Sequence, residues 1–161
     1  MRKRSGDKER SIANAAVIVF ARDGFHGAKI TRIAKEAGVA TGSVYLYFRN
    51  KESILHHLFA ELWKGMNGTF EGLLAQEELS ARQKIEELID DIFGLFAQNP
   101  PLALLFVNEQ PHLLRERSGV FMHYYIDFFR MGEQVIRDGI RKGEFNPDID
   151  PRILTNFVFG G

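Results

Sequence analysis

Ile33-Ala34-Lys35-Glu36-Ala37-Gly38-Val39-Ala40-Thr41-Gly42-Ser43-Val44-Tyr45-Leu46-Tyr47-Phe48 is the stretch on which the reading of this chain turns. Ile30, Ile33, Ala34 and Ala37 form a short apolar stripe at helical spacing, closed by Gly38. After a tight turn at Gly38-Val39, a second short helix is predicted from about Thr41 to Phe48. Two helices this short do not survive alone and must pack on a neighbour. The neighbour lies upstream, where Ile12, Ala15, Ala16, Val19 and Phe20 make one stripe of a helix expected from near Asp7 to Gly24. Glycine there can take the left-handed conformation that ends a helix. Such a tripod puts its last helix on display, as DNA-binding helix-turn-helix units do.

On a helical wheel of that displayed element, Val44 and Phe48 point inward. The opposite face centres on Gly42 and Leu46, with Ser43 and Tyr47 on one flank and Tyr45 on the other. Gly42 lets a backbone approach closely, while Thr41, Ser43, Tyr45 and Tyr47 offer hydroxyls to phosphates or base edges. Leu46 is apolar where water would favour a polar residue, and contact with a thymine methyl accounts for it. Asn50 reads as the N-cap of a fourth helix. Lys51 then adds its charge to the free amides of that helix start, a phosphate site.

Charge is segregated in the same sense. Lys+Arg and Asp+Glu are both 21 over the 161 residues, yet residues 1–51 carry 11 basic and 4 acidic side chains. The remaining 10 basic and 17 acidic side chains make the rest of the chain acidic. A basic segment attracts a polyanion that the acidic remainder repels. Part of the excess, at Arg2, Lys3 and Arg4, reads as a tail.

Helical spacing continues to the end, so the fold class is all-α, with no run of strand periodicity. The fourth helix carries Ile54, Leu55, Leu58, Phe59, Leu62 and Met66 inward, and Gly65, Gly68 and Gly72 leave its stop unplaced. A fifth from about Ser80 carries Ile85, Leu88, Ile89, Ile92, Phe93 and Phe96, and ends at Asn99-Pro100-Pro101. A short helix from about Leu102 to Glu109 is expected to end at Pro111. A long one from about Gly119 to Lys142 is apolar on two sides, with Phe121, Tyr125, Phe128 and Val135 on one and Ile126, Phe129, Ile136 and Ile140 on the other. The last helix starts near Asp150-Pro151.

Catalysis, a metal and a cofactor are not expected. The chain has no Cys. Glu109-Gln110-Pro111-His112 has the Glu-x-x-His spacing of di-iron bundles, but only in one copy, and Pro111 interrupts its helix. His56 and His57 are adjacent and diverge by about 100° on a helix, and Glu52 with His56 reads as a surface pair. Without strands there is no Gly-rich phosphate loop. No signal peptide or membrane span is expected, so a cytoplasmic protein with no membrane partner is anticipated.

Gly24-Phe25-His26, Ile33-Ala34-Lys35-Glu36-Ala37-Gly38-Val39, Gly42-Ser43-Val44-Tyr45-Leu46-Tyr47-Phe48 and Asn50-Lys51-Glu52 closely resemble the DNA-binding domain of TetR-family transcriptional regulators. The resemblance runs from about Asp7 to Leu58, and the later helix layout suits the same family. It implies a helix-turn-helix DNA-binding domain at residues 1–51 and a helical ligand-binding and dimerisation domain at 52–161. A homodimer would grip palindromic operator DNA, usually as a repressor, and let go when a small molecule enters the C-terminal domain. By position, Lys29, Thr31, Thr41, Gly42, Ser43, Tyr45, Tyr47 and Lys51 fall on DNA-contacting sites. Ala28 and Ala40 stand where the family often has a Ser or Thr helix cap. Tyr45-Leu46-Tyr47-Phe48, Arg49-Asn50-Lys51-Glu52 and Phe159-Gly160 look most like the FadR-type branch, which senses long-chain acyl-CoA.

The Phe-rich stripes, with Trp63, Tyr124 and Tyr125, suit a packed core and also a pocket for an apolar effector. Phe93, Phe96, Phe106, Tyr125 and Phe128 are the candidate lining residues, and Arg115 or Arg117 would meet the phosphates of an acyl-CoA. The different-class alternative is a helical small-molecule-binding protein without sequence-specific DNA binding, which salt-dependent binding to duplex DNA would separate. Ile153, Leu154, Phe157 and Val158 make an apolar stripe that runs on to Phe159-Gly160-Gly161 without a closing polar turn. The family usually continues into one more helix and pairs both as a four-helix bundle. A symmetric dimer built from about residue 151 onward, in a natural chain longer than this one, is therefore expected.

Overall fold

The computed structural model describes residues 5–116 and 119–160, so Arg2, Lys3, Arg4, Arg117 and Gly161 lie outside the described residues. The described residues form eight helices and no strand. They are α1 (Ser5–Asp23), α2 (Ile30–Glu36), α3 (Thr41–Val44), α4 (Lys51–Leu74), α5 (Ala81–Gln98), α6 (Pro100–Glu116), α7 (Phe121–Arg141) and α8 (Pro151–Phe159). Two compact units result, one of Met1–Ala60 with Phe96–Val120, the other of Glu61–Leu95 with Phe121–Gly161.

In the first unit α1 is buried along most of its length, with Ile12, Ala16, Val19 and Phe20 inside. Gly24 ends it at φ +71°, and Phe25 then folds back edge-on to Phe20 at 5.2 Å. Packing of α1 on α2 and of α2 on α3 closes the tripod over Ile33, Ala34 and Val44. The displayed helix is shorter than its sequence suggests. It stops at Val44, and the amides of Tyr47 and Phe48 both turn back to the Val44 carbonyl. Phe48 must reach the core, where it meets His57 edge-on at 5.2 Å, and that requirement tightens the chain out of regular helix. Neither α2 nor α3 has a side-chain cap; their N-caps are Lys29 and Ala40.

Asn50 caps α4 as expected, in a reciprocal box: the Ser53 amide donates to Asn50 Oδ1 at 2.8 Å and the Asn50 amide to Ser53 Oγ at 3.2 Å. The expected stop at Pro111 is corrected. Helix α6 begins at Pro100 under an Asn99 cap and passes through Pro111 to Glu116. Proline there removes the bond its amide would give to Val107. Helix α6 packs on α1 and buries Leu105 and Leu113, which offsets that loss.

The second unit is organised by aromatic rings. Phe128 meets Trp63 at 5.3 Å, Phe70 at 5.3 Å and Phe159 at 5.3 Å. Helix α8 packs on α7 where Gly132 faces Thr155: a Cβ on Gly132 would stand 2.8 Å from Thr155 Cγ2. Helix α4 ends at Leu74, whose carbonyl accepts from Lys84 Nζ at 3.0 Å, a tertiary stop that no local residue announces. Two expected core positions are corrected. Phe93 is 70% exposed on α5, and Ile126 is 49% exposed on α7, so α7 is buried over a single broad face around Phe121, Phe128, Val135 and Ile136.

Candidate functional site

The outward face of residues 41–47 is built as its wheel requires. Val44 and Phe48 are buried, while Leu46 is 80% exposed and Tyr45 56% exposed. Gly42 is exposed with nothing within 4 Å of where a Cβ would stand. Thr41, Ser43 and Tyr47 are half-buried on the flanks, and Lys29 and Thr31 are exposed at the start of α2. An apolar side chain held in water beside a bare backbone and a row of hydroxyls could meet a base edge and its flanking phosphates.

Lys51 is placed differently from a free phosphate-seeking cation. Its ammonium donates to the carbonyl oxygens of Phe25 and His26, each at 2.9 Å, and sits 4.8 Å from the Phe25 ring centre. One of its three N–H groups is left over. A second tie joins α1 to α2: Asp23 accepts from Arg22 Nε at 2.9 Å and from Arg32 at 2.8 Å, and Arg22 reaches Glu36 at 3.6 Å. The Arg22 hydrogen bond first, and the Arg32 bond after it, hold the Asp23 carboxyl below its ordinary value. Nothing in the local sequence signals this cluster, because Asp23 and Arg32 sit on different helices.

The candidate effector residues divide. In the first unit Phe96 and Phe106 meet at 5.0 Å, and Phe106 stacks on Phe59 at 5.9 Å. In the second, Tyr125 and Phe128 both pack on Trp63, at 5.0 and 5.3 Å, while Phe93 stands out in solvent. Burial raises the Tyr125 phenol. Asn67, buried nearby on α4, donates to the Tyr124 carbonyl at 3.0 Å, and its own Oδ1 has no hydrogen-bond partner. Arg115 is exposed near the end of α6, and Arg117 lies outside the described residues.

His56 turns its Nε2 toward Glu116, 3.9 Å away, and His112 approaches the same carboxylate at 3.3 Å. Among the described residues no group of three or more His, Asp or Glu is arranged to hold a metal. No helix among them is long and apolar enough to cross a membrane.

Comparison with known proteins agrees with this geometry. Residues 12–58 match the profile described as bacterial regulatory proteins, tetR family, and residues 78–161 match a tetracyclin repressor-like C-terminal domain. The chain is 34% identical over 161 residues to the fatty acid metabolism regulator protein of Bacillus subtilis (strain 168), covering 98% of this chain and 81% of that protein. Its fold is similar to the transcriptional regulator FadR of Bacillus subtilis in complex with stearoyl-CoA, at TM-score 0.81 and 32% identity over 94% of this chain and 81% of that one. The fatty acid degradation regulator FadR of Bacillus halodurans gives TM-score 0.84 at 30% identity, over 98% and 81%. Two profile matches that together cover most of the chain, and a relative aligned along nearly all of it, establish that the chain belongs to the tetR family of bacterial regulatory proteins.

Proposed function

We propose that the protein is a cytoplasmic repressor that binds palindromic operator DNA as a homodimer and releases it when a long-chain acyl-CoA binds. Residues 1–51 are the DNA-binding domain and residues 52–161 the effector-binding and dimerisation domain. It is a regulator and not an enzyme. The observation that carries this reading is Leu46, 80% exposed beside Gly42. A monomeric helical protein has no use for a large apolar side chain there, whereas a major groove does. Lys29, Thr31, Thr41, Ser43, Tyr45, Tyr47 and the spare N–H of Lys51 surround it as contacts to phosphates and base edges. The acyl-CoA assignment rests on the likeness to a regulator solved with stearoyl-CoA, and on the aromatic rings that crowd each unit.

Dimerisation is read from α8. Ile153 is 64% and Phe157 82% exposed on a helix whose other side packs on α7. Each such side chain left in water forgoes roughly 1.5–3 kcal/mol of burial. Pairing with the same face of a second copy recovers it.

The test is competition between a duplex selected by the protein from a random pool and a shuffled one, with acyl-CoAs of increasing length then added. Preference for the selected duplex and chain-length-dependent release are expected. Equal affinity for both duplexes overturns the repressor reading and leaves a helical small-molecule-binding protein. Specific binding that no acyl-CoA affects removes the effector class alone.

A further inference from the structure

A groove of about 380 Å³ runs between α1 and the turn that joins α2 to α3. Lys8 and Ser11 of α1 line one side; Ala37, Gly38, Val39, Ala40 and Ser43 line the other. The far side carries only small side chains, so its main chain lies open to close approach. Among the described residues no carboxylate lines the groove. It therefore offers one ammonium, two hydroxyls and a few methyl groups, which matches one sugar-phosphate unit: charge and donors for the phosphate, apolar contact for the deoxyribose. Ser43 ties the groove to the face already described, since it adjoins Gly42 on the flank of Leu46.

Several cations of this unit are already held. Arg10 is paired with Asp7 at 3.2 Å, Arg22 and Arg32 with Asp23, and Lys51 with two carbonyls. Lys8 enters no ion pair among the described residues; the same is true of Lys29, Lys35, Arg49 and Arg115, but of these five Lys8 alone lines the groove. A lysine without a carboxylate partner is one whose charge remains to displace a counterion from DNA. We infer that this groove seats a backbone phosphate of the operator, with Lys8 as its charged contact and Ser11 and Ser43 as its donors. The inference rests on the DNA-binding reading above and adds a second anchor, on α1, outside the displayed face.

The experiment measures affinity against salt for the wild type, Lys8→Ala, Lys8→Arg and Ser11→Leu, on the selected duplex and on a random one. Phosphate-ethylation interference is run on the selected duplex. Lys8→Ala should lower the slope of log K on log salt by about 0.9 for each lysine lost. It should weaken both duplexes by a similar factor, and Lys8→Arg should restore the slope. Ser11→Leu fills the groove without changing charge, and should erase the same interfering phosphate that Lys8→Ala erases. An unchanged slope and an unchanged interference pattern in Lys8→Ala overturn the seat while the wild type still prefers its operator. If the wild type binds no duplex, the DNA reading fails first and the seat with it. Should Ser11→Leu not fold, the Lys8 pair decides alone.

Discussion

The Lys51 ammonium donates to the carbonyl oxygen of His26 at 2.9 Å, and at the same distance to that of Phe25. The turn after α1 is thereby fastened to the first residue of α4, across the whole of α2 and α3. A residue at a helix start, where amides already favour anions, is thus also a structural tie. The orientation of the displayed face depends on it.

Lys51→Ala should therefore show two separable effects. Loss of the carbonyl bonds should lower stability by about 1–3 kcal/mol, read by chemical denaturation. Loss of the remaining phosphate contact should lower the salt slope of DNA binding by about 0.9. A variant as stable as the wild type would show that the tie contributes nothing.

Leu46→Ala should leave stability unchanged, because the side chain is 80% exposed. It should alter base preference at one position of each half-site by about 1–3 kcal/mol. Selection from a random pool reads this directly. The half-site centres should lie about 34–36 Å apart, or at a multiple of that spacing.

Phe157→Glu should break the dimer proposed to form through α8. The ring is 82% exposed on α8, so the monomer keeps its fold while a charge enters the face proposed to pair. Sedimentation should report a smaller species, and affinity for the palindrome should fall far more than affinity for a single half-site.

Gly132→Val should loosen α8. The new side chain meets Thr155, which stands 2.8 Å from the Cβ position and is buried. Overpacking of this kind costs about 1–3 kcal/mol. Proteolysis should then cut near residues 143–150 before the rest of the second unit unfolds.

Acid should weaken the junction of α1 and α2. Asp23 has its carboxyl held below the ordinary 3.8 by Arg22 and then Arg32. A group depressed in the folded state contributes stability above its unfolded pKa and loses it as pH falls through the folded value. Thermal melts should therefore drop on acidification below about pH 4, and Asp23→Asn should flatten that drop.

Periodicity and punctuation were enough to locate each helix, because each carries its own apolar stripe, but not to bound all of them: α3 is shorter and α6 longer than expected, and the stop of α4 was not placed. Gly24, Gly38 and Gly143 end their segments at positive φ, and Asn50 and Asp150 cap the helices that follow them. The inward pair Val44 and Phe48, and the outward pair Gly42 and Leu46, follow from helical geometry over a few residues. What local spacing could not contain was the outcome of competition between distant segments. Pro111 stays helical in a helix that packs on α1, from another part of the chain, and that buries Leu105 and Leu113. The stop of α4 depends on Lys84, His56 faces Glu116 from 60 residues away, and Lys51 is held by a turn that precedes it by 25 residues. Phe93, indistinguishable by spacing from its buried neighbours, is left in solvent because nothing in its own unit covers it. A stripe specifies which residues prefer to leave water; only the packed chain decides which of them find cover, and which charges find a partner before DNA does.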